Sequence, residues 1–366
     1  MKILYIYSDW KWTGPSQPIV ELCNFMSEKA KVFLLMSTPK HPESRFVAHV
    51  RTDRINLIQG LQKRGGIGSL MKNRRLIMRI IRQVKPDIIH LFRERDLITL
   101  PGNSENFIKV FSNLKDAYPG KLKRTFWKIA NVITVFQKKL HDKLFQELRN
   151  VVYIKPWLNL RQIPAEHKNV RSEFGLSAED FVVGLVMRIQ PHRRFDLVIE
   201  TANLVKKSQK RIKFLLFGKG PYVQKLVMEP IRKYGLADVI VHGGYRKDDY
   251  WDAINSFDIM FYTVAGSDGT ARALRQCQAM GKPVICLHND FMQEIVQDGI
   301  NGFIVHDKPE EIVEKIYALY SDRNMFIDFS KRSESQGKTY DLNKIGQEMY
   351  ALYDDQMRQK YKIFYR

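Results

Sequence analysis

Short apolar runs alternate with amphipathic stretches along the first part of the chain. The predicted strands cover residues 3–7, 31–36, 87–92 and 130–136, and the predicted helices cover residues 18–27, 70–84 and 138–148. Strand runs are rich in β-branched and aromatic residues, whereas the helical stretches repeat their apolar positions every three or four residues. This alternation predicts a doubly wound parallel sheet.

The same pattern restarts further along the chain. Strands are predicted at 181–187, 213–217, 239–242, 258–262 and 284–287, and helices at 195–208, 220–234 and 271–280. Residues 151–169 contain Pro156 and Pro164 and show no clear period, so we assign a linker there. We therefore predict an α/β protein with domains at 1–150 and 170–340 and a C-terminal helix within 341–366.

One turn before a predicted helix has the properties of an anion site. Ser267-Asp268-Gly269-Thr270 offers a helix N-cap and free backbone N–H groups, and the helix after it ends at Gly281. The positive end of a helix dipole stabilises a bound phosphate at such a position. The segment therefore suits a nucleotide-binding sheet.

Two longer motifs follow, Ala279-Met280-Gly281-Lys282-Pro283-Val284 and Glu294-Ile295-Val296 with Asp298-Gly299 and Asn301-Gly302. Together they resemble the glycosyltransferase group 1 family, retaining GT-B enzymes that use nucleotide sugars. The resemblance implies two Rossmann-like domains facing a cleft, a last helix that returns to the first domain, and a nucleotide-sugar substrate with no cofactor.

The family carries two glutamates eight positions apart, where this chain has Asp268 and Gln276. The resemblance implies that Asp268 approaches the donor sugar as a catalytic residue and that Gln276 accepts hydrogen bonds from ribose hydroxyls. The donor-binding turn also includes Gly269, Thr270 and Ala271. For Arg272 two alternatives stay open, namely contact with the donor and an i,i+4 ion pair with Asp268.

A cationic motif follows the first strand of the second domain. Arg188 and Arg193 stand where the family has an Arg and, five residues later, a Lys, and Arg194 is adjacent to them. Fixed guanidinium groups there would stabilise the charge of a departing diphosphate without a metal. Gly218, in a Gly-x-Gly-Pro turn, is a further donor-side residue by resemblance.

The first domain offers two positions by the same resemblance. Gly14 lies in the loop after the first strand, where the family is glycine-rich and approaches the donor. Ser112 stands where many members carry a His, on the acceptor side.

The net charge of +21 is concentrated in the first domain, with +16 in residues 1–150 and +5 in residues 151–366. Lys72, Arg75, Arg79 and Arg82 recur at helical spacing and form one basic face. A second cluster at 121–128 mixes basic and aromatic residues. We prefer an anionic membrane surface or a phosphorylated lipid acceptor over a merely solvated surface, and over nucleic acid, for which we find no binding motif.

Other features limit the compartment and the chemistry. Cys23, Cys277 and Cys286 lie in apolar contexts and indicate reduced core residues in a cytosolic protein. The N-terminal run reads as a strand and not as a signal peptide, and no apolar stretch approaches the ~18 residues that span a bilayer. For Asp248-Asp249 we prefer helix N-capping over metal binding, and we predict no metal site.

The leading hypothesis is a metal-independent retaining glycosyltransferase that acts in glycolipid or polysaccharide biosynthesis. It would transfer a sugar to an anionic lipid or glycan acceptor, as a cytoplasmic protein bound at the inner face of the membrane. The alternatives are a non-catalytic binding protein on the GT-B fold and a sugar-nucleotide epimerase.

Overall fold

The computed structural model describes residues 1–40, 44–102, 106–114, 117–208, 210–263, 271–289 and 291–364. The chain divides into two compact units. The first contains Met1–Asn159 and Asp341–Arg366, and the second contains Leu160–Ser267 and Ala271–Tyr340. The second unit therefore lies between two segments of the first in the sequence.

Each unit is built on one parallel sheet. The strands of the first unit are β1 Lys2–Tyr7, β2 Lys31–Ser37, β3 Ile55–Leu61, β4 Ile88–Leu91, β5 Ile108–Ser112, β6 Val132–Val135 and β7 Val151–Tyr153, in the order β3-β2-β1-β4-β5-β6-β7. Those of the second are β8 Phe181–Val186, β9 Ile212–Phe217, β10 Ile240–His242, β11 Ile259–Tyr262, β12 Val284–Leu287 and β13 Gly302–Val305, in the order β10-β9-β8-β11-β12-β13.

Helices connect these strands. They are α1 Gln17–Met26, α2 Arg45–Ala48, α3 Ile67–Val84, α4 Glu94–Leu97, α5 Lys121–Trp127, α6 Lys138–Phe145, α7 Phe195–Lys207, α8 Glu229–Lys233, α9 Tyr250–Asn255, α10 Arg272–Ala279, α11 Pro309–Ser321, α12 Arg323–Lys338 and α13 Leu342–Phe364. A π-helical turn, Gln224–Met228, leads into α8. Strand and helix alternate on both sheets, so the predicted α/β class is confirmed.

Both faces of each sheet are covered, because successive side chains of a strand point to opposite sides. In β1, Tyr5 belongs to a core shared with α1 and α13, whereas Leu4 and Ile6 belong to a core shared with α3. The second sheet is likewise packed on two sides. Because the central strands are buried on both faces, their sequences are apolar throughout, and this is why the sequence predicted them as strands.

The terminal helix α13 belongs to the first unit. Gly346 lets it pack closely on α1, because a Cβ at this position would lie 2.6 Å from the ring of Phe25. Leu342, Ile345 and Met349 are buried in the same contact. The helix thus covers one face of the first sheet.

Four strands and five helices were not predicted as such, namely β3, β5, β7, β13, α2, α4, α5, α11 and α12. Strands β3, β7 and β13 lie at sheet edges, where one side is solvated and the apolar signal is weak. Strand β7 has only three residues and lies inside the segment predicted as a linker. Edge position therefore accounts for the three missed edge strands.

Candidate functional site

The carboxyl ends of β8 and β9 continue side by side beyond the second sheet. Met187 N donates to Phe217 O at 3.1 Å, and Ile189 N donates to Lys219 O at 3.2 Å. A Cβ at Gly218 would lie 1.9 Å from Met187 O. Glycine is required here because two backbones approach each other where any side chain would collide. In parallel α/β sheets, ligands bind at this edge.

Gly220 also lies against a neighbouring backbone, since a Cβ at this position would lie 2.1 Å from Ile189 O. The Gly-x-Gly turn therefore serves the pairing of two loops. Its role in the described structure is to shape this edge of the sheet.

The cationic loop lies directly on this edge. Arg188 is exposed between Met187 and Ile189, which are both buried. The loop then forms a short 3₁₀ turn, Pro191–Arg193. The hydroxyl of Thr263, just after β11, donates to the carbonyl oxygen of Arg193 at 2.7 Å and ties the loop to the neighbouring strand end.

Arg194 has a different environment from the other two arginines. It adopts a left-handed conformation with φ 52° and precedes α7. Its guanidinium contacts Asp307 at 2.8 Å and Asp196 at 3.1 Å. The hydrogen bond to Asp307 is the main cause that raises the pKa of Arg194. Two carboxylates therefore already engage this predicted donor-binding residue.

Gln276 lies inside the second unit, on α10. It is 6% exposed, and its Oε1 accepts a hydrogen bond from the Tyr250 hydroxyl at 2.8 Å. Burial raises the pKa of Tyr250, with Arg272 opposing the shift, so this hydroxyl stays protonated and donates. Tyr250 therefore already occupies one lone pair of Gln276 Oε1, the atom predicted to accept from ribose, and a second lone pair remains.

Ala271 immediately precedes α10 in a left-handed conformation, with φ 41°, and is buried. Arg272 is the first helical residue and is half-buried. The predicted residues Asp268, Gly269 and Thr270 lie outside the described residues. The two alternatives for Arg272 therefore stay open.

Sequence reasoning gave little weight to a pair at the ends of β9 and β10. Tyr245 is 53% exposed, and Lys219 Nζ lies 3.8 Å from the centroid of its ring. His242 Nε2 is 3.0 Å from the carbonyl oxygen of Gly218, in the same loop. An exposed aromatic residue directly after two glycines was the available signal.

The first sheet carries a charged cluster at its own carboxyl edge, which the sequence did not reveal. Asp96 is fully buried and accepts a hydrogen bond from Ser8 N at 3.0 Å. Burial raises its pKa to about 6. Asp9 pairs with Lys63 and lies 3.7 Å from Arg93. Gly14 is exposed in the same loop, before α1.

Ser112, predicted on the acceptor side, is fully buried. Its hydroxyl lies 2.6 Å from His90 Nε2 and 2.6 Å from Thr134 Oγ1. His90 Nδ1 in turn lies 2.5 Å from the Tyr353 hydroxyl on α13. Burial lowers the pKa of His90 to about 3, so the ring is neutral at physiological pH. This network is part of the core of the first unit, and the acceptor-side role of Ser112 stays a prediction.

The basic face of the first unit is present on α3. Lys72, Arg75, Arg79 and Arg82 are all exposed, whereas the other side of the helix is buried. In the second basic cluster Trp127 is 1% exposed and packs on Phe111, so it is not a surface residue.

Within the part of the chain that the structure describes, no group of three or more His, Cys, Asp and Glu residues is close enough to hold a metal ion. Asp249 is at the N-cap position of α9, as predicted, but its side chain makes no capping hydrogen bond and pairs instead with Arg246. None of the described helices is both long and apolar enough to cross a bilayer.

The fold, with the cationic loop at the carboxyl edge of the second sheet, defines the class of protein. Anabaena HepE, solved with UDP and glucose, superposes with a TM-score of 0.77 at 16% identity, covering 97% of this chain and 100% of that one. A glycosyltransferase from Rickettsia africae superposes with a TM-score of 0.83 at 14% identity, covering 97% and 98%. The chain therefore has the GT-B fold.

The family follows from the sequence of the second unit. Residues 166–336 match the family Glycosyl transferases group 1. The predicted resemblance to that family is confirmed over this region. The matched region contains the cationic loop, the Gly-x-Gly turn and α10.

Two curated relatives match at 22% identity. One is the alpha-monoglucosyldiacylglycerol synthase of Acholeplasma laidlawii, over 64% of this chain and 61% of that protein. The other is the poly(ribitol-phosphate) alpha-N-acetylglucosaminyltransferase of Staphylococcus aureus (strain COL), over 62% of this chain and 44% of that protein. The chain thus matches less than two thirds of the length of either relative.

Proposed function

We propose that the protein is a metal-independent, retaining glycosyltransferase that takes its sugar from a nucleotide-sugar donor. The observation that carries this proposal is the cationic loop at the carboxyl edge of the second sheet, inside the region that matches the family. A donor of this kind is present in a structure of the structural relative HepE, which was solved in complex with UDP-glucose.

Arg188 and Arg193 are assigned to the donor diphosphate. Negative charge accumulates on the phosphate oxygens as the bond to the sugar breaks, and preorganised cations lower the energy of that state. The loops after β8 and β9 are held together by backbone hydrogen bonds, so the cations are presented from a fixed frame. In a retaining reaction the leaving phosphate helps to deprotonate the incoming hydroxyl on the same face of the sugar.

The other donor-side residues have supporting roles. Gln276 would accept from a ribose hydroxyl through the lone pair that Tyr250 leaves available. Asp268 is assigned to the sugar. Arg272 is assigned either to the donor, through its phosphate or a sugar carboxylate, or to an ion pair with Asp268. Arg194 is assigned a structural role, because Asp196 and Asp307 already hold it.

We assign the acceptor to the first unit and expect it to be an anionic lipid or glycan. The names of the two relatives refer to a diacylglycerol and to poly(ribitol-phosphate). The exposed basic face of α3 is complementary to an anionic acceptor, such as a phosphorylated lipid or a phosphate-containing polymer. The same face supports a peripheral position at the inner surface of the cytoplasmic membrane.

The assay is incubation with a panel of radiolabelled nucleotide sugars, with and without a lipid extract. Transfer of label to extractable lipid or polymer is the expected outcome. Binding of a nucleotide without turnover would favour a non-catalytic protein, and interconversion of the donor without an acceptor would favour an epimerase.

A further inference from the structure

Large apolar side chains are exposed on two helices of the first unit. At the start of α3, Ile67 is 78% exposed and Met71 is 51% exposed. On α5, Leu122 is 72% exposed and Phe126 is 39% exposed. The members of each pair are four residues apart and so share one helix face. Exposed apolar patches of this kind mark interaction sites.

The two helices are joined through α4. Arg95 Nη2 donates to Ser69 Oγ, on α3, at 2.8 Å. Lys123 Nζ, on α5, contacts Glu94 Oε2 at 2.9 Å. The start of α3 and Lys123 of α5 therefore contact the same short helix. The two pairs are called the apolar tips below.

The surroundings of the apolar tips are cationic. Helices α3 and α5 contain no acidic residue. On α5, Lys121 and Lys123 are exposed, and on α3 Lys72 and Arg75 are exposed. Apolar side chains set among lysines and arginines match the surface of an anionic bilayer, where charged headgroups lie above an apolar layer.

We propose that the apolar tips Ile67, Met71, Leu122 and Phe126 insert into the headgroup–acyl boundary of an anionic bilayer. This inference rests on the membrane surface of the proposed function and adds penetration to electrostatic adsorption. Salt screens the attraction between the basic residues and the headgroups but leaves burial of apolar area intact. Binding should therefore keep a component that high salt does not remove.

Insertion is measured with an environment-sensitive fluorophore on Leu122→Cys. The protein's cysteines, Cys23, Cys277 and Cys286, are all buried, so the introduced thiol reacts selectively. With vesicles of equimolar phosphatidylglycerol and phosphatidylcholine we expect a blue shift and quenching by a lipid-attached quencher. The same label on Ile327→Cys, on α12 of the second unit, is the control and should show neither; Ile327 is 37% exposed.

Affinity gives the second readout. The double variants Leu122→Asn/Phe126→Asn and Ile67→Asn/Met71→Asn should each bind these vesicles about tenfold more weakly, whereas Ile327→Asn should bind like the wild type. Unchanged urea unfolding would show that these exposed substitutions leave the fold intact.

The outcomes separate the two proposals. Vesicle binding that is lost on charge reversal of α3, with no spectral shift at position 122, rejects insertion and keeps the adsorbing surface. No binding to anionic vesicles rejects both. A blue shift at position 122 together with weaker binding of both double variants supports insertion of both tips.

Discussion

At the scale of single residues, the three arginines of the cationic loop have different environments. Arg188 is exposed, the backbone of Arg193 is fixed by Thr263, and Arg194 is held by two carboxylates. The motif alone could not distinguish them, because Asp307 lies 113 residues from Arg194 in sequence. Only a folded second unit brings that carboxylate to the loop.

We expect Arg188→Ala or Arg193→Ala to lose transfer activity and to weaken nucleoside-diphosphate binding. Loss of one cation that stabilises the leaving charge costs on the order of 3 kcal/mol, or ~100-fold in turnover. Steady-state kinetics and calorimetric titration measure the two effects. Arg232→Ala, an exposed arginine on α8, is the matched control. Wild-type kinetics in both loop variants would reject the assignment.

Gln276→Glu should leave the fold intact and tighten donor binding. A carboxylate accepts more strongly than an amide, and Tyr250 can still donate to it, so we expect a gain of about 1 kcal/mol, or about fivefold in Kd. Calorimetric titration with the cognate nucleotide decides the matter. Weaker binding would mean that Gln276 is adapted to another ligand and would favour the non-catalytic alternative.

The raised pKa of Asp96 predicts how the free energy of unfolding changes with pH. Burial raises its pKa in the folded protein from 3.8 to about 6, so the folded state holds the proton more tightly than the unfolded state. The stability that this difference in pKa provides is fully present below the unfolded pKa and is lost as pH rises through about 6. The free energy of unfolding thereby falls by about 3 kcal/mol. Arg93 and Arg95 oppose the shift.

The Asp96→Asn variant keeps an acceptor for Ser8 N but cannot ionise. Its stability relative to the wild type should therefore increase between about pH 4 and about pH 7, as measured by urea unfolding at several pH values. The lowered pKa of His90 has the opposite effect, because it removes stability as pH falls. His90 contributes equally to the variant and the wild type, so its effect cancels in the difference between their free energies of unfolding. Asp53→Asn, whose side chain is 68% exposed, is the control and should give a constant difference.

At the scale of elements, α13 is tied to the first sheet by a buried polar contact as well as by apolar packing. The Tyr353 hydroxyl lies 2.5 Å from His90 Nδ1 and 3.2 Å from the Tyr5 hydroxyl. The helical period of residues 341–362 predicted the helix. Its apolar face alone does not identify which strands it covers, because that depends on partners more than 260 residues away.

Tyr353→Phe should lower the free energy of unfolding by about 1–3 kcal/mol, because it leaves a buried ring nitrogen of His90 without that partner. Urea unfolding gives the magnitude, and hydrogen exchange of the α13 amides shows where protection is lost. Tyr350→Phe, on the same helix and half-buried, should change stability by less than about 0.5 kcal/mol. Equal effects of the two variants would contradict a specific role for the Tyr353 hydroxyl.

At the scale of the whole molecule, charge is the dominant asymmetry, with +16 before residue 151 and +5 after it. We expect the protein to cosediment with anionic vesicles and not with zwitterionic ones. Each basic residue near the headgroups contributes about 1 kcal/mol, screened over ~8 Å at physiological salt. Reversing the charges of Lys72, Arg75, Arg79 and Arg82 should abolish binding while donor affinity is retained. Equal partitioning to both vesicle types would reject the proposed binding to an anionic membrane surface.

The sequence by itself determined the class of the fold and the place of the cationic loop. Alternation of buried strands with amphipathic helices is a local signal, since a strand covered on both faces must be apolar throughout. The family motifs lie at fixed spacings within a few elements. These properties need no knowledge of distant residues.

Only the tertiary structure decided what the polar side chains contact. Ser112 stands at the end of a strand, where an acceptor contact was expected, yet it is buried beside His90 and Thr134. Gln276 faces Tyr250, and Arg194 faces Asp307, each across different elements. A hydrogen bond depends on a distance of about 3 Å between atoms that packing brings together, and no periodicity along the chain records that distance.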